Sequence, residues 1–331
     1  MIIQVKNLSK TYEYYKKAPG IWASVAGLFH REKLYKKAVK EISFEIGEGE
    51  LVGFLGPNGA GKTTTLKMLS GILYPTSGEA KVLGHTPWKR EAAYQKQFAL
   101  VMGQKNQLWW DLPAMESFIL NKEIYEVPDA EFEKNLNELV ELLDIKDILD
   151  VQVRKLSLGQ RMKCELVAAL LHKPKVLFLD EPTIGLDVVA QKNIRDFVKH
   201  YNRENKTTIL LTSHYMEDVK DLCKRVIIIE DGEIMYDGDL VKLIEKYAPY
   251  KVLKITFERD VEKSDIDRFG EVMEFEPGNV ILRVDREKAK NVAREILSSD
   301  LPVDDILIDE VDISDVVRKI FSNGKDNSLK A

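Results

Sequence analysis

The apolar positions of this chain fall into two rhythms. Residues 51–55, 98–102, 176–179 and 208–212 are short runs, almost wholly apolar, each followed by a glycine, an acid or Ser213-His214. Such runs predict strands buried on both faces, as in an α/β sheet covered by helices. Elsewhere the period lengthens: Phe132, Leu136, Leu139, Val140 and Leu143 recur at helical spacing, and no strand signal interrupts 113–149. Further strands are expected over 2–5, 39–46 and 79–83, with a turn at Asn7 and Ser9 and helices over 161–172 and 191–202. Residues 225–230 and 233–236, joined by Asp231-Gly232, read as a hairpin.

Beyond Tyr247 the organisation changes. Strand patterns over 251–258, 271–276, 279–284 and 304–311 alternate with helical ones over 264–269 and 286–297, and 313–321 adds a last helix. The order β-α-β-β-α-β predicts a small α+β, ferredoxin-like module over 248–322, followed by a polar flexible tail, 323–331. Its acids, such as Asp304, Asp305, Asp309, Glu310 and Asp312, read as a solvated face.

A second departure lies near the start. Within the basic insertion 14–38, Ile21, Trp22, Val25, Leu28 and Phe29 form one apolar helical face between lysine-rich flanks. The stretch is too short to span a bilayer, which leaves a docking segment for a membrane or membrane partner, or an ordinary surface insertion.

Composition narrows the class. With 331 residues, 44% hydrophobic and 31% charged, the chain can bury more than one core, and two domains are expected, over 1–243 and 248–322. The net charge of −5 gives no support to a nucleic-acid partner. Cys164 and Cys223 have no partner at metal-ligand spacing, and a reducing cytoplasm fits them. The start carries no secretory signal pattern, and no run is long enough to cross a membrane.

The chemistry sits at the strand ends. Gly56-Pro57-Asn58-Gly59-Ala60-Gly61-Lys62-Thr63-Thr64 follows a buried strand and opens a helix, matching G-x-x-x-x-G-K-[ST] in its proper context. The glycines let successive N–H groups turn toward an anion at the helix N-terminus. Lys62 would reach the β and γ phosphates of a nucleotide, and the Thr63 hydroxyl would ligate Mg²⁺. The run over 176–179 ends in Asp180 and Glu181, whose charges must project from the C-terminal edge of the sheet. Asp180 would hold the metal with Thr63, Glu181 would polarise the attacking water, His214 would bond the γ-phosphate, and Gln104 would sense metal and water. Tyr12 could stack on a base or be a half-buried surface tyrosine.

With Leu156-Ser157-Leu158-Gly159-Gln160 preceding the acidic strand, the chain closely resembles the ATP-binding subunits of ATP-binding-cassette (ABC) transporters over about residues 2–240. Within that family the LSLGQ segment, the Gly185-Leu186-Asp187 loop, the insertion and the C-terminal module look similar to ABC-2-type, daunorubicin-resistance-like export ATPases. The resemblance implies an α/β P-loop NTPase core with an inserted helical subdomain over about 105–172, and ATP and Mg²⁺ as ligands. It also implies that a second ATP-binding subunit, most simply another copy, sandwiches two nucleotides. Ser157, Gly159 and Gln160 would then act across the interface, with Asp187 beside them. Leu158 departs from the usual motif, which has glycine there. Closure would pass to separate membrane permease subunits through a surface near Gln104, with Trp109 and Trp110 either on that surface or in the core. The expected place is cytoplasmic, peripheral on the inner face of the cell membrane.

Two other classes share the phosphate loop: non-transport cassette ATPases and P-loop kinases. A kinase does not need the signature segment, ribosome-associated cassettes usually carry two phosphate loops where this chain has one, and repair types need heptad arms. Deleting 21–29 is expected to spare ATP hydrolysis and weaken association with membranes containing the partner. Undiminished co-sedimentation of the deletion variant with those membranes would remove the docking role.

Overall fold

The structure is a computed structural model that describes residues 1–15 and 33–328, so the apolar stretch expected over 21–29 lies outside the described residues. The chain divides into two compact units, Met1–Asp237 and Gly238–Ala331. In the first unit the strands are β1 (Ile3–Tyr15), β2 (Lys33–Ile46), β3 (Leu51–Leu55), β4 (Ser77–Val82) and β5 (Phe98–Met102). They continue with β6 (Val176–Asp180), β7 (Thr208–Thr212), β8 (Arg225–Glu230) and β9, which runs Glu233–Asp239. The helices are α1 (Lys62–Leu69), α2 (Ala92–Gln95), α3 (Ala114–Ile124), α4 (Asp129–Leu143), α5 (Leu158–Leu170), α6 (Val188–Asn205) and α7 (Met216–Leu222).

Six strands form one sheet in the order β5-β6-β7-β3-β8-β9. The pairs β5/β6, β6/β7, β7/β3 and β3/β8 are parallel. Every residue of β6 and β7 is buried, which is why their runs Val176–Leu179 and Ile209–Leu211 are continuously apolar instead of alternating. Parallel pairing also brings the C-terminal ends of neighbouring strands together: Met102 lies beside Asp180, and Asp180 beside Thr212. The segment between β5 and β6 holds α3, α4 and α5, the helical insertion the periodicity predicted.

A second, antiparallel sheet has the order β2-β1-β4. It shares one core with the first, where Ile3, Val5, Phe44 and Ile46 meet Val52, Phe54 and Phe178. Here the expected turn at Asn7 and Ser9 is instead a run of three register irregularities between Val5 and Thr11, and β1 continues to Tyr15. Their polar side chains explain the difference. Ser43 Oγ accepts from the Asn7 N–H at 2.8 Å and donates to Asn7 Oδ1 at 3.1 Å, and Ser9 Oγ accepts from the Glu41 N–H at 2.9 Å. Groups that elsewhere would start a turn satisfy the backbone at the irregularity and let pairing resume.

The second unit begins with α8 (Leu240–Tyr247), which packs against the last helix, α11 (Ile313–Ser328). That packing moves the division to Asp237, ahead of the expected 243–248, and α11 runs on where a tail was expected from 323. Between them lie β10 (Tyr250–Phe257), α9 (Lys263–Ile266), β11 (Glu271–Glu276), β12 (Asn279–Asp285), α10 (Ala289–Leu297) and β13 (Val303–Asp309). The four strands form an antiparallel sheet ordered β11-β12-β10-β13. Ile266 of α9 and Ala293 and Ile296 of α10 bury Leu253, Ile255 and Leu282 against one another, a ferredoxin-like arrangement.

One buried side chain of the first unit carries a pH signature. His172 stacks on Tyr125 with ring centroids 3.7 Å apart, and its Nε2 donates to the Phe98 carbonyl at 3.2 Å. Burial holds its pKa down to about 4, so the ring stays neutral. Between pH 6.5 and about 4 the unfolded chain takes up a proton that the folded chain refuses, and stability present above that window is lost as pH falls through it. Relative to a His172→Phe variant, which keeps the stacked ring, the wild type is expected to lose up to about 3 kcal/mol from pH 7 to pH 4. Urea unfolding at each pH measures this, and parallel curves would show that His172 does not titrate in this way.

Candidate nucleotide site

The phosphate loop is held in shape from outside. A Cβ on Gly56 would stand 2.2 Å from the Ile229 carbonyl oxygen, and one on Gly61 2.5 Å from that of Ala38. Gly61 has φ +112° and Gly59 φ +82°, so both steric room and backbone conformation require glycine at Gly61. The Asp231-Gly232 turn, with both φ values positive as a type I′ hairpin needs, docks on the same loop. The Gly232 N–H donates to the Ala60 carbonyl at 3.0 Å, and the Lys40 N–H to the Gly232 carbonyl at 2.8 Å. Lys62 is buried, and its ammonium donates to the carbonyls of Gly56 (2.7 Å) and Pro57 (3.1 Å) of its own loop. Burial pushes its pKa down, against the fields of Glu181 and Asp180. A buried cation with only neutral acceptors is poised to exchange them for an anion.

Asp180 ends β6 almost fully buried, and one oxygen serves two hydroxyls. Thr212 Oγ1 donates to Asp180 Oδ1 at 2.7 Å and Thr63 Oγ1 donates to the same atom at 3.1 Å. Two hard oxygen donors converging beside a phosphate loop fit Mg²⁺, which takes few protein ligands and completes its shell with water and substrate phosphate. Glu181 follows in the left-handed region, φ +57°, a strained setting for a non-glycine residue. Its N–H is fixed by the Thr212 carbonyl (3.0 Å) and hydroxyl (3.1 Å), and its Oε1 lies 2.5 Å from His214 Nε2. A carboxylate paired to an imidazole at a strand end can accept a proton from water and hand the geometry on to a phosphate.

A cleft of about 220 Å³ opens here, lined by Asn58, Gly59, Gly61, Lys62, Thr63, Thr64 and Glu181, with Tyr12, Lys36 and Ala38 of the β1–β2 pair. Tyr12 Oη lies 3.5 Å from Thr64 Oγ1, and the Lys10 ammonium stands over its ring at 5.5 Å. A larger cleft of about 590 Å³ between β1, β2 and β9 contains none of the phosphate-loop residues.

Other expected residues are placed elsewhere. Gln104 is exposed and does not line the cleft. The preceding Gly103 packs so closely that a Cβ there would stand 2.1 Å from the Glu181 carbonyl oxygen. Ser157, Gly159, Gln160 and Asp187 form a second cluster. Ser157 caps α5 reciprocally with Gln160: the Gln160 N–H donates to Ser157 Oγ at 3.2 Å, and the Ser157 N–H to Gln160 Oε1 at 3.0 Å. Asp187 caps α6 through the Ala190 N–H at 2.8 Å, and a Cβ on Gly159 would lie 3.1 Å from that of Ala190. Leu158, the departure from the usual motif, lies against Gly185, its Cδ2 3.1 Å from a Cβ built there.

Three contributors escaped sequence reasoning. Thr212 is one, legible only as a threonine ending an apolar strand. The second is Asp218, fully buried, whose carboxylate accepts from Thr183 Oγ1 (2.5 Å), Ser213 Oγ (2.6 Å) and Arg195 Nη1 (3.1 Å). It ties the loop after Glu181 to the strand end before His214, and its place four residues after His214 was the available signal. The third is Glu165, buried in α5, whose Oε1 accepts from the N–H groups of Gln107 (2.9 Å) and Leu108 (3.4 Å). Burial pushes its carboxyl pKa up against those two bonds, and a lone acid amid the apolar residues of α5 marked it.

The family described as ABC transporter matches residues 39–184, and the EvrA-like ABC transporter C-terminal domain matches 249–309. The chain is 36% identical over 217 residues to the ABC transporter ATP-binding protein NatA of Bacillus subtilis, covering 66% of this chain and 88% of NatA. It is 36% identical over 221 residues to the linearmycin resistance ATP-binding protein LnrL of the same organism, covering 67% and 70%. Among solved structures, an ATP-binding subunit of an ABC transporter superposes with TM-score 0.62 at 25% identity, over 75% of this chain and 93% of that one. A dimeric ATP-binding cassette in a post-hydrolysis state with ADP and Pi gives 0.60 at 24%, over 72% and 98%.

Replacing Asp218 by alanine would leave the Arg195 guanidinium buried without its most enclosed partner, at an expected cost of about 3 kcal/mol in urea unfolding. A loss below about 1 kcal/mol would rank the network with exposed ion pairs and remove its positioning role.

Proposed function

Because the chain belongs to the ATP-binding proteins of ABC transporters, we propose that it powers an exporter, closing on ATP as a dimer and driving separate membrane-spanning chains. Its activity is the hydrolysis of ATP to ADP and phosphate. The observation that carries the coupled reading is a division of labour. Lys62, Thr63, Asp180, Glu181 and His214 converge at one sheet edge, while the exposed start of α5 with Ser157 stands outside that cleft. This separation supports a reading in which one subunit holds half of a site and a second copy supplies the other half.

In this mechanism the loop N–H groups and Lys62 hold the β and γ phosphates. Thr63 and Asp180 would hold Mg²⁺, which when bound neutralises charge on the phosphate oxygens. Glu181 accepts the proton of the attacking water, and His214 keeps the carboxylate in line and bonds the γ-phosphate. Ser157 Oγ and the Gly159 N–H of the second copy cap that phosphate from the opposite side, at a helix N-terminus where anions are favoured. Val188 and Val189 support such an interface, since two adjacent valines 74% and 70% exposed beside Asp187 are costly on a free surface. ATP closes the pair and loss of the γ-phosphate releases it.

Export is favoured by LnrL, a resistance ATP-binding protein, and both bacterial relatives favour transport over a non-transport cassette. Among the described residues no helix is long and apolar enough to cross a membrane, so the permease would be another chain, with this one on the inner face of the cell membrane. Trp109 and Trp110 are 56% and 46% exposed, which supports the docking reading over the core one.

Replacing Glu181 by glutamine is expected to preserve ATP binding, lower turnover about 10²- to 10³-fold and make an ATP-bound dimer persist. Steady-state hydrolysis and size-exclusion chromatography with ATP measure both effects. Undiminished turnover would strip Glu181 of its role, and a variant that stays monomeric with ATP bound would sink the closing dimer.

A further inference from the structure

We propose that Lys36 is a nucleotide-binding residue, a cation for the half of the nucleotide nearest the base, setting affinity for ATP and ADP alike. The inference rests on the ATPase reading above. In the β1–β2 ladder Lys36 lies directly opposite Tyr12, and residues directly opposite in an antiparallel pair project to the same face. Both line the cleft of the phosphate loop. The next residue, Lys37, lines the other cleft, as the alternation of a strand requires.

Among the described residues the charge of Lys36 is also uncommitted. Lys33 pairs with Glu13 at 2.8 Å and Lys40 with Glu233 at 3.1 Å, whereas among the described residues Lys36 makes no hydrogen bond or ion pair. An exposed ammonium lining the cleft of a phosphate loop is placed to meet an anion there. Which part of the nucleotide it meets follows from the two ends of the cleft. Lys62 and Glu181 mark the γ-phosphate end. On the reading in which Tyr12 stacks on the base, Tyr12 marks the other end; its hydroxyl lies 3.5 Å from Thr64 Oγ1 and Lys10 stands over its ring. Lys36, beside Tyr12, therefore faces the ribose and α-phosphate, which ATP and ADP share.

Isothermal titration calorimetry of the full chain with ATP and with ADP, on wild type, Lys36→Ala and Lys36→Arg, tests this. Lys36→Ala is expected to weaken both nucleotides by the same factor, about 5- to 20-fold, with the gap narrowing as salt is raised. Lys36→Arg, which keeps the charge, is expected to restore most of the affinity for both. An alanine variant that binds both nucleotides as the wild type does would overturn the assignment. So would one that loses affinity for ATP alone, which would put the cation at the γ-phosphate. A wild type that binds neither nucleotide would fell the ATPase reading together with this inference, whereas either of the other two results leaves that reading standing.

Discussion

The structure depends on how closely the backbone of the phosphate loop is packed from outside. The carbonyl oxygens of Ile229 and Ala38 occupy the space where side chains at Gly56 and Gly61 would begin, and the Asp231-Gly232 turn bonds the loop at Ala60. These contacts come from β8, β2 and the β8–β9 turn, so the central and antiparallel sheets both take part in shaping one turn. A loop backbone held in shape in advance has little to reorganise when a phosphate arrives. Flexibility there would turn binding energy into ordering cost.

The same logic extends along the sheet edge. Parallel register sets Asp180 beside Thr212, and a single carboxylate oxygen then joins Thr63 to the strand that leads to His214. Behind this, Asp218 gathers Thr183, Ser213 and Arg195 in a buried cluster. The residues proposed to hold the metal, to accept the proton and to bond the phosphate are therefore tied together along one edge. Such bracing is what the proposed dimer would need for the nucleotide to act as the joint, because slack within a subunit would absorb closure before it reached a partner.

Much of this was legible in the residues. The glycine spacing before Lys62, the acids at the end of an apolar strand and Ser213-His214 at the end of another identified the phosphate-binding chemistry, because parallel strands must send their polar groups to one edge. The Asp-Gly hairpin and the order of elements in the second unit were readable for the same local reason. Asn7 and Ser9 misled, since the side chains that favour a turn serve equally well to satisfy a bulge. Gln104, expected near the metal from its place at a strand end, is exposed and is not among the residues that line the cleft.

By itself, then, the amino-acid order determined what depends on spacing along the chain: strand or helix, the phosphate turn, and the edge on which charges emerge. Only the tertiary structure decided what depends on partners far apart in the chain. It sets Lys36 beside Tyr12 in the cleft, lays Leu158 against Gly185, and buries Asp218 among three hydroxyl and guanidinium donors. The reason is that a carboxylate, a lysine or a leucine carries no mark of its neighbours. Its role is fixed by which groups the packing removes from water alongside it.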